Sequence, residues 1–249
     1  MLEFKSVGYR TCGTDIISDI TLTVRTGRMT ALLGKNGSGK TTLLRAATRE
    51  IPYSGQILLD GRPSEVIPPR ERAKRLGLLP QMLPAVPLSV RELVGLGRTP
   101  YLSLLSRPSP ADRAVTEHAI STCGLGSLAE AELTTLSGGE RQRAFLAMLL
   151  AQEVSMMLLD EPTAYLDADA RKSTLTLLGH LILSGEKGAL VVLHDLNDAI
   201  RYADDIALLD RGRLLFCGTV ADFLDSHLPE KHFGLSRIGC DGGGLPYFY

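Results

Sequence analysis

The stretch Gly34-Lys35-Asn36-Gly37-Ser38-Gly39-Lys40-Thr41-Thr42 decides the fold of this chain. It fits the phosphate-binding loop pattern G-x-x-x-x-G-K-[ST], with both glycines, the lysine and the threonine in place. The apolar run Met29–Leu33 before it is typical of a short buried strand, and the residues after it favour a helix. A strand, a glycine-rich turn and a helix in this order direct successive backbone N–H groups at one anion.

The loop also predicts roles for its side chains. Lys40 is expected to reach the β- and γ-phosphates of a bound nucleotide, and the Thr41 hydroxyl to ligate Mg²⁺. The plainer interpretation is a glycine-rich turn with a solvated lysine. Because every position and both flanks match the pattern, phosphate binding is the better interpretation.

The composition is ordinary for a globular protein. With 44% hydrophobic and 22% charged residues, a chain of 249 residues can bury a substantial core in one or two domains. A net charge of −1 indicates no surface built for nucleic acid. The four cysteines are scattered without a C-x-x-C pair, which argues against zinc or a disulfide framework and suits a reducing cytosol. With no long apolar run and no signal-peptide pattern, we expect a cytosolic, soluble protein.

Apolar segments alternate with helical ones after the loop, which predicts an α/β fold with a parallel sheet covered on both faces. The expected strands are 155–159, 189–193 and 206–210, and the expected helices begin at Glu140, Asp167 and Leu196.

Alternating segments before and just after the loop's helix predict a small antiparallel sheet. Leu2 to Val7 is followed by an expected turn at Gly8-Tyr9, and Ile20 to Val24 ends near Gly27. A third strand, 55–59, is closed by an Asp-Gly turn.

Residues 82–135 are rich in proline and show little strand pattern. Ser89 to Glu92 is a capping box that opens a helix. Ser109-Pro110 is the N-cap and first position of another helix, which is expected to stop at Gly124. We expect 82–135 to be a helical subdomain inserted into a single domain spanning residues 1–249.

Two further motifs point to phosphate chemistry. Asp160 and Glu161 end an apolar strand, where Asp160 can help hold Mg²⁺ and Glu161 can polarise an attacking water. An acidic strand end before a proline is the alternative, and it is less favoured in a chain that also carries the loop.

Gly138 and Gly139, between Ser137 and Glu140 of a capping box, expose the backbone at a helix N-terminus and predict a second anion site. The simplest arrangement for two phosphate sites on one chain is a pair of copies that bind nucleotides between them.

On these motifs the chain resembles the ATPase subunit of an ATP-binding-cassette (ABC) transporter, over nearly its whole length. Leu136-Ser137-Gly138-Gly139-Glu140 is similar to the signature that separates these cassettes from other phosphate-loop proteins. The resemblance implies a phosphate-loop NTPase core with an N-terminal antiparallel β-subdomain and an inserted α-helical subdomain. It also implies a homodimer of cassettes, in which the signature of one contacts the ATP held by the other.

The resemblance implies roles for residues that the pattern alone leaves unassigned. Gln81 matches the mobile glutamine that meets Mg²⁺ and the transport partner, and Glu161 matches the general base. Asp167 belongs to a loop that crosses the dimer interface. His194 matches the histidine at the γ-phosphate, although by itself it reads as a strand-end histidine.

Tyr9 matches an aromatic residue that stacks on adenine, against the alternative of a turn tyrosine. Lys35 and Glu140 depart from the residues usual at their positions, but neither removes a backbone group that contacts phosphate. All catalytic positions are filled, so we expect a competent ATPase that uses ATP and Mg²⁺.

The helical insertion indicates which kind of ABC transporter the chain resembles. Glu92 to Tyr101 and Ser109 to Arg113 resemble the cassettes of importers for ferric siderophores, haem and cobalamin. That implies two transmembrane permease subunits docking on residues 82–105, an external substrate-binding protein acting indirectly, and a peripheral location at the cytoplasmic face of the inner membrane. Packing within the protein is the alternative role for the apolar residues of Tyr101 to Leu105.

Three other functions remain open. A cassette ATPase of a soluble assembly usually carries two fused cassettes or extra arms, and an exporter cassette is often fused to transmembrane helices. A phosphate-loop kinase would have no use for the signature or for His194. In the tail, Gly242-Gly243-Gly244 is expected to be a flexible turn without chemistry.

Overall fold

A six-stranded, mainly parallel sheet carries the phosphate-loop region at its centre. The structure is a computed structural model that describes residues 1–103, 106–183, 185–240 and 246–249. Its strands are β1 (Leu2–Thr11), β2 (Thr14–Val24), β3 (Met29–Leu33), β4 (Ser54–Leu59), β5 (Arg62–Pro63), β6 (Leu76–Leu79), β7 (Met156–Leu159), β8 (Gly188–Val192), β9 (Asp205–Asp210), β10 (Arg213–Thr219), β11 (Arg237–Cys240) and β12 (Pro246–Phe248). Its α-helices are α1 (Lys40–Thr48), α2 (Pro69–Ala73), α3 (Val90–Leu96), α4 (Pro110–Thr122), α5 (Gly138–Ala151), α6 (Ala168–Leu183), α7 (Leu196–Tyr202), α8 (Val220–Asp225) and α9 (Leu228–Phe233).

The strand order of this sheet is β10-β9-β3-β8-β7-β6, with β10 antiparallel to β9 and the other neighbours parallel. Every residue of β3, β7 and β8 is buried, as expected for strands covered on both faces. The predicted α/β class with a parallel sheet is therefore confirmed.

A four-stranded antiparallel sheet, in the order β2-β1-β4-β5, forms the second layer. The turn predicted at Gly8-Tyr9 is wrong, because β1 continues through both residues to Thr11 and Tyr9 pairs with Ile17. The pairing shifts register between Val7 and Tyr9, so the glycine lies in an irregular part of the strand rather than in a turn. The chain reverses at residues 12–13 instead.

Helix α1 lies between the two sheets, and this fixes the position of the phosphate loop that precedes it. Leu43, Leu44 and Ala47 of α1 belong to a core cluster that also includes Phe4 of β1 and Leu190 of β8. A second core cluster covers the other face of the parallel sheet with residues from helices α3 to α8. The loop's helix is therefore held by apolar contacts on both sides.

Residues 82–135 contain α3, α4 and short 3₁₀ turns, and α3 and α4 both pack against α5. Both predicted capping boxes are present, at Ser89 with Glu92 and at Ser109 with Asp112. That this stretch is a separate subdomain stays a prediction. Residues 104–105 and Gly242-Gly243-Gly244 lie outside the described residues. No helix in the described part of the chain is both long and apolar enough to cross a membrane.

The parallel sheet predicts a sharp contrast between two leucines. Leu190→Ala, at a fully buried position of β8, should lower the free energy of unfolding by about 2–5 kcal/mol because it removes core contacts and leaves a cavity. Leu183→Ala, at a position that is 80% exposed, should change it by less than about 0.5 kcal/mol. Urea denaturation followed by circular dichroism measures both. Equal losses for the two variants would contradict the assignment of Leu190 to the core.

Candidate functional site

The phosphate loop lies between the end of β3 and the start of α1. Gly39, the N-cap of α1, has a left-handed φ of 102°. A Cβ on Gly34, whose φ is 148°, would lie 2.3 Å from the carbonyl oxygen of Leu209 and 2.6 Å from the Ser38 hydroxyl. The backbone path therefore requires glycine at position 34.

Lys40 is buried at the start of α1, and its ammonium lies back over the loop. Nζ donates to the carbonyl oxygens of Gly34 at 2.7 Å and Lys35 at 3.1 Å. Burial lowers the pKa of Lys40, and the nearby carboxylates of Glu161 and Asp160 act in the opposite direction. An anion bound in the loop would reinforce the charged form of this side chain.

Asp160 follows β7 directly and is buried at the edge of the sheet. Burial raises the pKa of the Asp160 carboxyl, against a hydrogen bond from Thr41 that lowers it. Its Oδ1 atom has no hydrogen-bond partner in the described structure. A buried carboxylate oxygen without a partner is costly, and a cation would satisfy it. In the described ranges no group of three or more His, Cys, Asp or Glu lies close enough together to hold a metal ion.

Glu161 is the meeting point of three strand ends. Its carboxylate accepts a hydrogen bond from Gln81 Nε2 at 2.6 Å and lies 2.5 Å from His194 Nε2. Gln81 follows β6, Glu161 follows β7 and His194 follows β8, and these strands are neighbours in the sheet. Glu161 has a left-handed φ of 51°, a strained conformation for a residue with a side chain.

A cavity of about 600 Å³ joins these features. It is lined by residues 36–42 together with Gln81, Glu161 and His194, so the structure brings most of the predicted site together. Ile16 and Tyr165 also line it, although no sequence motif predicts contact of either residue with a nucleotide. For Tyr165 a signal existed, because it lies two residues before Asp167, which the resemblance assigns to a loop at the dimer interface. For Ile16 there was none, since no motif marks a strand residue that reaches the loop from another sheet.

Tyr9 is not among the residues that line this cavity. It is half-buried in β1 and packs against the core cluster around α1. Its stacking on adenine stays a prediction.

The signature residues lie elsewhere on the chain. Ser137 caps α5 by accepting a hydrogen bond from the N–H of Glu140 at 3.3 Å, while its own N–H donates to Glu140 Oε2 at 2.8 Å. The helix begins at Gly138, earlier than the predicted Glu140, because both glycines belong to its first turn. Ser137, Gly138 and Gly139 do not line the cavity at Lys40. Within one chain, the residues of the predicted second anion site therefore lie apart from the cavity at Lys40.

Asp167 caps the start of α6, where its Oδ1 accepts a hydrogen bond from the N–H of Ala170 at 2.8 Å. The side chain is exposed and does not line the cavity. Contact between Asp167 and a nucleotide therefore stays a prediction.

Comparisons with known proteins give a consistent result. Residues 17–164 match the ABC transporter family. The chain is 39% identical over 230 residues to the ferric enterobactin transport ATP-binding protein FepC of Escherichia coli (strain K12), covering 91% of this chain and 84% of that protein. It is 42% identical over 222 residues to the hemin import ATP-binding protein HmuV of Pseudomonas entomophila (strain L48), covering 86% and 84%. The solved structure of cbiO1 from Clostridium perfringens, part of the ABC transporter complex cbiONQ, superimposes with a TM-score of 0.81 at 25% identity, covering 92% and 93%.

The loop geometry predicts different outcomes for two glycine substitutions. Gly34→Ala should abolish binding of a fluorescent ATP analogue, because its Cβ would collide with the Leu209 carbonyl and force the loop to move. Gly37→Ala meets no atom within 4 Å and should cost only the left-handed backbone conformation, about 1–2 kcal/mol of stability. Nucleotide titration and urea denaturation of both variants test this. Intact binding by Gly34→Ala would contradict the steric argument.

Proposed function

This chain belongs to the ABC transporter family, and from that premise we propose that it hydrolyses ATP to power a membrane importer of iron chelates, either ferric siderophores or haem. The observation that carries the proposal is the meeting of Gln81 and His194 on Glu161, beside the phosphate loop. The cargo class is supported by the relatives, which are named for ferric enterobactin and hemin transport.

The nucleotide site would use groups that the fold already holds in place. Backbone N–H groups of residues 34–42 would bind the phosphates, with Lys40 at the β- and γ-phosphates. Mg²⁺ would be held by Thr41, Asp160 and Gln81, and the unpartnered Oδ1 of Asp160 supports that fit. When bound, the metal neutralises charge on the phosphate oxygens.

In the structure, the Glu161 carboxylate contacts Gln81 and His194. Hydrolysis would require it to release one of these contacts and to bind a water in its place. The water oxygen attacks the γ-phosphorus, its proton passes to the Glu161 carboxylate, and the bridging oxygen leaves with ADP. Gln81 and His194 would orient this carboxylate and the γ-phosphate. Direct contact of both side chains with Glu161 supports these roles.

A second copy would complete the site. Ser137, Gly138 and Gly139 lie outside their own chain's cavity, with Ser137 and Gly138 exposed at the start of α5. In a head-to-tail homodimer they would contact the ATP bound at Lys40 of the partner subunit, and Asp167 would lie at the interface. ATP would then favour the closed dimer, and hydrolysis would let it reopen.

Coupling to the membrane would pass through Gln81 and residues 82–105, where two permease subunits would dock. Met82 and Leu96 are large apolar side chains in this stretch that are 83% and 52% exposed. Exposed apolar side chains in the stretch that follows Gln81 would suit a surface that binds a partner protein. The chain would lie peripherally on the cytoplasmic face of the membrane, and an external substrate-binding protein would act only indirectly.

The assigned base is tested by Glu161→Gln. This variant should bind ATP and dimerise, yet hydrolyse ATP at least about 100-fold more slowly, because the amide cannot take the water's proton. Phosphate release and sedimentation with ATP measure the two properties. Glu117→Gln, which changes an exposed carboxylate of α4 in the same way, should hydrolyse ATP normally. Normal turnover by Glu161→Gln would refute the base.

The importer is tested by affinity purification of tagged Glu161→Gln from gently solubilised native membranes with ATP, followed by mass spectrometry. A polytopic permease in the eluate is the expected result, and its identity would narrow the cargo. A parallel purification of tagged Gly34→Ala, which should bind no ATP, controls for adhesion that is independent of nucleotide. A soluble assembly without any membrane protein would contradict the importer and leave an ATPase of another class.

A further inference from the structure

Arg98 is a buried cation with an unusually complete set of partners. Its side chain is only 7% exposed. Its Nε lies 3.1 Å from Asp112 Oδ1, and its Nη1 lies 2.6 Å from Glu153 Oε2. The guanidinium also stacks on the ring of Tyr101, 3.9 Å from the centroid. Removing a charge from water costs free energy, and these contacts compensate for that cost at Arg98.

Arg98 and Tyr101 both contact the C-terminal end of α5. Arg98 Nη1 donates to the carbonyl oxygen of Ala151 at 2.7 Å, and the Tyr101 hydroxyl donates to that of Gln152 at 3.2 Å. A cation also suits the negative end of the helix dipole. Glu153 reaches Arg98 from a left-handed backbone conformation, with a φ of 54°.

The preceding residue brings the backbones together. A Cβ on Gly97 would lie 2.3 Å from the carbonyl oxygen of Met148, so only glycine permits this approach to α5. On its other side, Arg98 binds Asp112 in the first turn of α4. Arg98 therefore joins three elements: the segment that follows α3, the start of α4 and the end of α5.

Helix α5 carries the signature at its opposite end. Its 14 residues span about 21 Å at the usual rise, so a tilt of about 5° at Arg98 moves its first turn by roughly 2 Å. A displacement of that size is enough to break hydrogen bonds from backbone N–H groups to a phosphate.

We propose that Arg98 is a positioning residue for the signature: its buried contacts hold the far end of α5, so that Ser137, Gly138 and Gly139 meet the ATP of a second copy. This inference rests on the proposed function, because it presumes the ATP-bound homodimer. Arg98 is not among the residues that line the cavity at Lys40. It also links the signature to residues 82–103, the described part of the proposed docking segment, so permease movements would reach the second nucleotide through the same contacts.

The test compares dimerisation with nucleotide binding in the Glu161→Gln background. Arg98→Met keeps the bulk and removes the charge, and it should weaken ATP-driven dimerisation by about tenfold or more in sedimentation experiments. Titration with a fluorescent ATP analogue on dilute monomer should stay within about twofold of the parent, since the site at Lys40 is untouched. A role confined to stability would not separate the two measurements.

Two further variants complete the comparison. Arg98→Lys keeps the charge but not the planar geometry, and it should recover part of the dimerisation. Arg45→Met is the matched control, since Arg45 of α1 pairs with Glu50 at the surface and lies outside the docking segment. This variant should dimerise like the parent. If Arg98→Met fails to fold, Glu153→Gln carries the same test, with dimerisation expected to weaken about threefold or more.

The outcomes are distinguishable. Dimerisation of Arg98→Met as tight as that of the parent would overturn the positioning role while leaving the proposed function intact. A parent that binds ATP but never dimerises would refute the proposed homodimer, and the inference would fall with it.

Discussion

The register of the parallel strands is the constraint on which the candidate site depends. Leu79 of β6 is paired with Leu159 of β7, and Leu159 is paired with Val191 of β8. Because Gln81 and Glu161 each follow these paired residues by two positions, the register aligns them at one edge of the sheet. A slip of one residue would turn every side chain of a strand to the opposite face of the sheet. Glu161 would then be separated from Gln81 and His194.

The same edge concentrates features that oppose stability. Asp160 is buried with an unpartnered oxygen, Lys40 is desolvated, and Glu161 adopts a strained backbone conformation. A fold selected for stability alone would remove such features, whereas a site that binds polyphosphate and a cation needs them. Core clusters on both faces of the sheet supply the apolar burial that tolerates them.

Helix α5 has a double role in this arrangement. Its first turn presents the signature glycines, while its last turn is held by Arg98 and Tyr101. Helices α3 and α4 pack against it, so residues 82–135 contact the helix that carries the signature. The proposed second nucleotide contact would therefore respond to changes in the segment that is proposed to dock on a permease.

Much of this protein follows from its sequence because the relevant signals are local. The phosphate loop, the capping boxes at Ser89 and Ser137, and the uniformly apolar strands each depend on neighbouring residues, and the structure contains all of them. Helix and strand limits moved by only one or two residues at most positions.

Other features depend on contacts between distant parts of the chain. The turn predicted at Gly8-Tyr9 is part of β1 in the structure. Pairing with β2 and β4 continues past the glycine, with shifts in register around it. Ile16 reaches the cavity from another sheet, and Arg98 is buried only because α4 and α5 close around it. The sequence by itself determined which local units form and which groups could bind phosphate. Only the tertiary structure decided which side chains meet, because contacts between residues far apart in the sequence leave no local pattern that identifies the partners.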